Sequence, residues 1–306
     1  MKFISIVLTL AMLSYGITID PILAKHAIYA TTKIQNTYAC KTPLNGIVGT
    51  NGVWNNIGNL VTIQTQSRAK SVAGSNWTIT AGDTLFYEVG SGASFSLAVG
   101  ADTNKVTSVY PVLPVFPDLS GEIFNGTTSI SAPGTYNPGQ YNTLNPDWTV
   151  TLTNPIYLKA GIYHFKSLNI GASKKVIIMP NNGSYKTEIY VNTRTNIGDQ
   201  SKLCVNDSTG YGQVVLAQIS SSDITFTSLS EVTATVIAKD ATVNFNSNAK
   251  LFGQVFANIV ELIDFNGGTG IIYTEIKTKR PVIVSDTLTC QESGSVTNTP
   301  TVNFIE

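Results

Sequence analysis

The chain has 306 residues with 19 basic and 19 acidic side chains, so its formal net charge is +0 and only 12% of its residues are charged. No basic stripe recruits a polyanion by phosphate neutralisation, which excludes nucleic acid as a partner. With 42% hydrophobic residues the chain can bury a real core, while abundant Thr, Asn, Ser and Gly leave a surface of neutral hydroxyls and amides. Such a surface suits an extracellular solid, a glycan or self-association.

In chain order, Met1-Lys2-Phe3 leads into the apolar run Ile4 to Leu13, one positive charge followed by about a dozen apolar residues, the layout of a secretory signal peptide. The run is too short for a bilayer, which needs about 20 residues. The small-residue rule allows cleavage after Gly16 (with Ser14 two residues before it), after Ala24 or after Ala30, and residues 1–24 are taken as the signal segment. No cysteine sits just behind the apolar run and no apolar stretch near Glu306 is long enough for an anchor, so a secreted or surface-held chain without membrane insertion is expected.

Beyond the signal segment, alternating and β-branched runs predominate and no long stretch has helical spacing. Leu60–Thr65, Trp77–Thr80, Trp148–Thr153, Lys175–Met179 and Glu188–Val191 read as strands, which predicts an all-β chain. Residues 31–110 form a small β-rich region whose fold the pattern leaves open between a sandwich and a cap. Three prolines between Tyr110 and Asp118 forbid a central strand there and predict an extended linker. Residues 118–276 are read as a parallel β-helix, or β-solenoid, and 277–306 as a C-terminal tail. The decisive pattern is repetition: Val236/Val255, Ala238/Ala257, Val243/Leu262, Phe245/Phe265 and Asn246/Asn266 recur at about 19 to 20 residues, with Phe226 and Ala217 one unit earlier. A unit that short buries its apolar face only by stacking on copies of itself. A looser pair, Ala132-Pro133-Gly134-Thr135-Tyr136 and Lys159-Ala160-Gly161-Ile162-Tyr163, shares a small-Gly-x-Tyr pattern in which glycine permits a corner.

The segments Tyr157–Phe165, Leu168–Ile170, Ile189–Val191, Thr235–Val243, Leu251–Ala257 and Gly268–Glu275 resemble a family of bacterial and archaeal exported β-helix domains of unassigned function. That family occurs in cell-surface and pilus-associated proteins, and the resemblance implies a surface-exposed solenoid. Lys239-Asp240 stands where the family has Pro-Asn, and Ile272–Glu275 replaces its closing His-Tyr-Asp. A weaker resemblance, through Ala132–Tyr136, is to ice-binding solenoids.

Catalytic chemistry has little material. The two histidines are His26, close enough to the start to leave with a signal peptide, and His164, expected as an outward polar residue of a strand. Neither a Ser-His-Asp set nor a histidine or cysteine metal site follows, and no cofactor is expected. Glycan-cleaving solenoids need converging carboxylates; Asp223, Asp240, Glu261 and Asp264 are the candidates, isolated from recurring basic partners. Thr149, Thr151, Thr153, Thr225 and Thr227 are candidate binding residues, because Thr-x-Thr runs place hydroxyls on one face of a strand. Trp54, Trp77, Trp148, Tyr136, Tyr141 and Tyr157 offer sugar-stacking platforms where exposed and core anchors where buried. Of three cysteines two can form a disulfide, with Cys40 and Cys290 as the candidate pair. The leading reading is a non-catalytic structural or adhesive protein that binds a surface, matrix, glycan or itself. Ice or crystalline-surface binding and a polysaccharide lyase or hydrolase are the alternatives.

Overall fold

A computed structural model describes residues 17–273, apart from positions 18, 38–39, 42–45, 58–60, 64–65, 92, 94, 98–99, 111, 180–186, 206–213 and 264–270. Its N-terminal block contains β1 (His26–Asn36), β2 (Cys40–Lys41), β3 (Ile47–Asn56), β4 (Val61–Ile63), β5 (Ser67–Gly74), β6 (Trp77–Ile79), β7 (Thr84–Ser91), β8 (Phe95–Leu97) and β9 (Asp102–Lys105). After a long strand-free segment come β10 (Gly134–Tyr136), β11 (Gly139–Leu144), β12 (Ile156–Leu158), β13 (Ile162–Ile170), β14 (Lys175–Ile178) and β15 (Thr187–Ile197). β16 (Lys202–Val205), β17 (Val214–Gln218), β18 (Ile224–Phe226), β19 (Glu231–Asn246), β20 (Lys250–Ile263) and β21 (Ile271–Tyr273) complete the set. The pairings between these strands are parallel, which makes the molecule a parallel β-solenoid.

Each full coil has three faces, and β19 shows all of them in one strand. Glu231–Thr233 lies on the third face with β16, Thr235–Ile237 on the first with β17, and Val243–Phe245 on the second with β18. Between the first two faces the register slips at a corner, where β19 spends Lys239, Asp240 and Ala241 and β20 spends Asn258 alone. Inward side chains of successive coils align, as Phe226 and Phe245 do at 4.9 Å, and side chains of different faces meet across the interior, as Trp54 does edge-on with Trp77 at 5.3 Å, all four buried. Apolar rows that a single coil would leave wet become a continuous core, worth about 1.5–3 kcal/mol for each large side chain buried.

The order in space is not the order in sequence. β1 pairs with β20 on one side (Ile28 with Val255, Asn36 with Leu262) and with β3 on the other. β3, β5, β7 and β9 continue from there, so residues 26–105 extend the same column on the first two faces instead of making a sandwich. On the third face, β2, β4, β6 and β8 form a separate four-stranded sheet. The chain thus starts in mid-column, winds to one end and then crosses to the other.

The crossing segment, residues 106–129, is the Pro-rich linker, and it lies as a strap over the first face. Val109 N–H donates to Glu88 at 2.9 Å, and Phe116 packs on Tyr29. Further on, Glu122 meets His164, and Asn125 N–H donates to Gln140 at 2.9 Å. Outward residues of the first face that the strap, Ile17 and residues 19–25 cover, among them Tyr29, Phe256, Ile237, Ala217 and Tyr190, form a second apolar cluster with Leu23, Val109, Tyr110 and Leu119.

Several sequence-level expectations are corrected. Trp148 to Thr153 is a turn and bend, because the Asp147 carboxylate accepts from Thr149 N–H at 2.8 Å and Thr149 Oγ1 at 2.5 Å and closes the backbone locally. The repeat holds on the first face, where Val236 meets Val255 and Ala238 meets Ala257. Past the corner it slips by two, pairing Val243 with Val260 and Phe245 with Leu262. Ala217 aligns with Ile237 on the outside, not with Ala238. Cys204 is disulfide-bonded, a cysteine outside the expected Cys40–Cys290 pair, and Cys290 lies outside the described residues. His26 is built into the first described strand with 1% exposure.

Candidate functional site

The second face carries the most regular polar array. Strand alternation sends Leu168, Ile170, Thr195, Ile197, Ile224, Phe226, Val243 and Phe245 inward, and it turns the residue between each pair outward. Asn169 pairs with Asn196, Asn196 with Thr225, Thr225 with Asn244, and Asn244 with Glu261. Gln35 continues from Glu261, followed by Asn55. Asn145 begins the row: Asn169 Nδ2 donates to Asn145 Oδ1 at 3.0 Å and Asn196 Nδ2 to Asn169 Oδ1 at 2.9 Å. These two bonds fix the orientations of Asn145, Asn169 and Asn196, leaving further donors and acceptors for solvent or a ligand. The row crosses the seam between the two sequence-distant blocks without a break.

Its neighbouring outward row is heterogeneous. Thr143, Ser167 and Arg194 align in one part of it, and Thr242, Ile259, Lys33, Val53, Ser71 and Val89 in another. The second face thus has one regular line, not a two-dimensional lattice. Trp148, three residues beyond Asn145, is 85% exposed, whereas Trp54 and Trp77 are fully buried.

Of the sequence-predicted binding residues, Thr225 stands in this row. Thr149, Thr151 and Thr153 lie in the turn beside Trp148 and spend their hydroxyls locally, Thr151 accepting from Asn154 N–H at 3.0 Å. Thr227 Oγ1 donates to the Ile197 carbonyl at 3.0 Å. Among the carboxylates, Glu261 belongs to the row, Asp223 is exposed two residues before Thr225, and Asp264 lies outside the described residues. Asp240 sits at the corner, in a groove of about 490 Å3 between Thr31, Lys239, Asn258 and Leu113–Phe116 of the strap. Asp240 and Glu261 consequently belong to different rows. Among the described residues no group of three or more metal-ligating side chains gathers.

A second polar cluster lies under the strap. His164 stacks on Tyr190 (5.0 Å, 8°), meets Glu122 at 2.6 Å and receives the edge of Phe124. Tyr190 O–H donates to Glu188 Oε2 at 2.8 Å, and burial together with the nearby Glu188 carboxylate pushes the phenol's pKa far up.

Sequence reasoning missed the amide row. Its members precede an inward apolar residue, as in Asn169-Ile170, Asn196-Ile197, Thr225-Phe226 and Asn244-Phe245, but unequal loops separate them and hide the period.

No family model and no curated protein matches the chain. A solved structure described as an ice-binding protein from an Antarctic bacterium of the Flavobacteriaceae is similar at 9% identity, over 79% of this chain and 95% of that one, with a TM-score of 0.30. Among the described residues no helix is long and apolar enough to cross a membrane.

Proposed function

We propose that this chain is a non-catalytic, exported binding protein that holds an extended, polyhydroxylated polymer along the second face. The single observation behind the reading is the amide row from Asn145 to Asn55, continuous over both blocks at the strand spacing of about 4.8 Å. A linear glycan presents hydroxyls at regular intervals along one line, and the row offers amide, hydroxyl and carboxylate groups along one line. Trp148 supplies a bare aromatic plate of the kind that packs against a sugar ring. Ice or another crystal calls for order in two dimensions, and the mixed neighbouring row with Arg194, Lys33 and Val53 argues for the polymer instead. Hydrolysis or elimination requires paired carboxylates, whereas Asp240 and Glu261 sit on different rows.

The test is retention on cellulose, chitin and a panel of soluble glycans by pull-down and affinity electrophoresis. Binding to at least one polymer is expected, weakened tenfold or more in the double variant Asn196→Ala, Asn244→Ala and by up to about tenfold in Trp148→Ala. Absence of retention together with thermal hysteresis of freezing would replace the polymer by ice. Turnover of a retained glycan would restore the enzyme reading.

A further inference from the structure

Ile17 is buried at 5% exposure, and its backbone nitrogen lies 2.9 Å from Oε1 of Glu188, itself 3% exposed. The other carboxylate oxygen, Oε2, accepts from Tyr190. A carboxylate so far from water is costly unless a positive charge faces it. Tyr190 is neutral, and Glu122, which meets His164, is a second acid beside the same tyrosine. Among the described residues, the groups named around Glu188 are two acids against at most one protonated imidazole, and the atom aimed at Glu188 is the nitrogen of Ile17.

Ile17 and residues 19–24 are also part of the fold. Leu23 is fully buried in the outer apolar cluster, Asp20 caps the turn by accepting from Ile22 N–H at 2.6 Å, and Gln254 Nε2 donates to the Ala24 carbonyl at 2.8 Å. This segment runs from Glu188 on β15 to Gln254 on β20 before entering β1, the strand that joins the two blocks. Cutting after Ala24 would strip Leu23 from the outer cluster, and cutting after Ala30 would destroy β1. Of the three small-residue sites, the bond after Gly16 is the one that leaves the described residues built into the fold intact.

We infer that the chain is processed between Gly16 and Ile17, and that the α-ammonium released on Ile17 forms a buried ion pair with Glu188. The inference shares with the proposed function the premise of export, but not the ligand. The step is hydrolysis by a signal peptidase: water adds across the peptide bond, Gly16 leaves as a carboxylate and the Ile17 nitrogen takes protons to become an ammonium. The cut precedes folding, since the nitrogen is buried afterwards.

Two measurements test it. N-terminal sequencing and intact mass of protein recovered from an exporting host should give a chain starting at Ile17; a start at any other residue would overturn the inference. The pairing is tested by Glu188→Gln in two contexts, the Ile17-start protein and a cytosolic form that retains Gly16 ahead of Ile17. In the first, the variant strands a buried ammonium and should lower the thermal midpoint by on the order of 10 °C. In the second, Gln keeps an acceptor for the Ile17 N–H and removes an uncompensated charge, so the midpoint should stay or rise. Equal shifts in the two contexts would sink the ion pair. Glycan retention, read on the same samples, reports separately on the second face.

Discussion

At the scale of single residues, His26 shows how the outer cluster uses an ionisable group as a structural one. Its Nδ1–H donates to the Ile22 carbonyl at 2.8 Å, while Nε2 accepts from the Tyr110 hydroxyl at 2.9 Å. Tyr29 and Tyr110 rings lie 5.3 and 5.7 Å away. Burial lowers its pKa to about 4; the Ile22 bond works the other way, and Arg68 and Lys25 add repulsion. Between pH 6.5 and about 4 the unfolded chain therefore binds a proton that the folded chain refuses. Stability from this group is fully present above pH 6.5, falls as the pH drops, and is lost by on the order of 3 kcal/mol near pH 4. Denaturant titrations at pH 7 and pH 4.5 should show a smaller loss for His26→Gln than for the native chain. An equal loss in both proteins would assign the acid sensitivity to other groups.

At the scale of elements, the strap is held by places where the column makes room for it. A Cβ on Gly49, on the outer side of β3, would lie 1.7 Å from the Tyr110 hydroxyl and 3.2 Å from the His26 ring. Gly49→Ala should push Tyr110 out of its seat between His26 and Tyr29, costing about 1–3 kcal/mol as overpacking. It should also speed proteolysis within residues 106–129, read by limited digestion and mass spectrometry. Unchanged cutting would show that the strap's hold lies elsewhere. The strap illustrates what the sequence carries and what it hides. Pro114 and Pro117 forbid ladder bonding, so an extended segment was legible, but a segment that covers a distant face depends on contacts such as Glu122 to His164 that no local pattern encodes. The small-Gly-x-Tyr pair was legible for a local reason that the structure supplies. Tyr136 O–H donates to the Ala132 carbonyl and Tyr163 O–H to the Lys159 carbonyl, each reaching four residues back over a glycine corner. Asn137 to Tyr141 repeats the device. Gly161 is required there, since its φ is +146° and a Cβ would lie 2.3 Å from Pro138 Cγ. The coil repeat was readable on the first face, where no residues are inserted. Beyond the corner it was not, because β19 and β20 spend different numbers of residues turning it, which displaced Phe245 from its assigned partner. The amide row was lost for the same reason.

At the scale of the whole molecule, the seam between β1 and β20 does the work that chain continuity does in an ordinary solenoid. Seven aligned residue pairs from Ile28–Val255 to Asn36–Leu262 join the N-terminal block to the C-terminal one. The strap connects the opposite ends of the column, and Val112, Leu113 and Val115 on it are 65%, 51% and 65% exposed. Closing a flexible loop costs only slowly more as it lengthens, whereas opening the seam would uncover Ile28, Ile34, Val255 and Val260, all buried in the main core. A protease site engineered at Leu113 should therefore give two fragments that still elute as one particle, with a thermal midpoint only a few degrees lower and glycan retention on the second face preserved. Separation should need denaturant. Fragments that part in native buffer would mean that the seam does not bind by itself and that the strap is what keeps the amide row continuous. The free end at β9 explains why the same edge pairing need not propagate between molecules. Asp102 and Lys105 are exposed on that last strand, and charges on an edge oppose its pairing with another copy. The seam buries one pair of edges inside the molecule, and the charged strand guards the first-face edge at the β9 end.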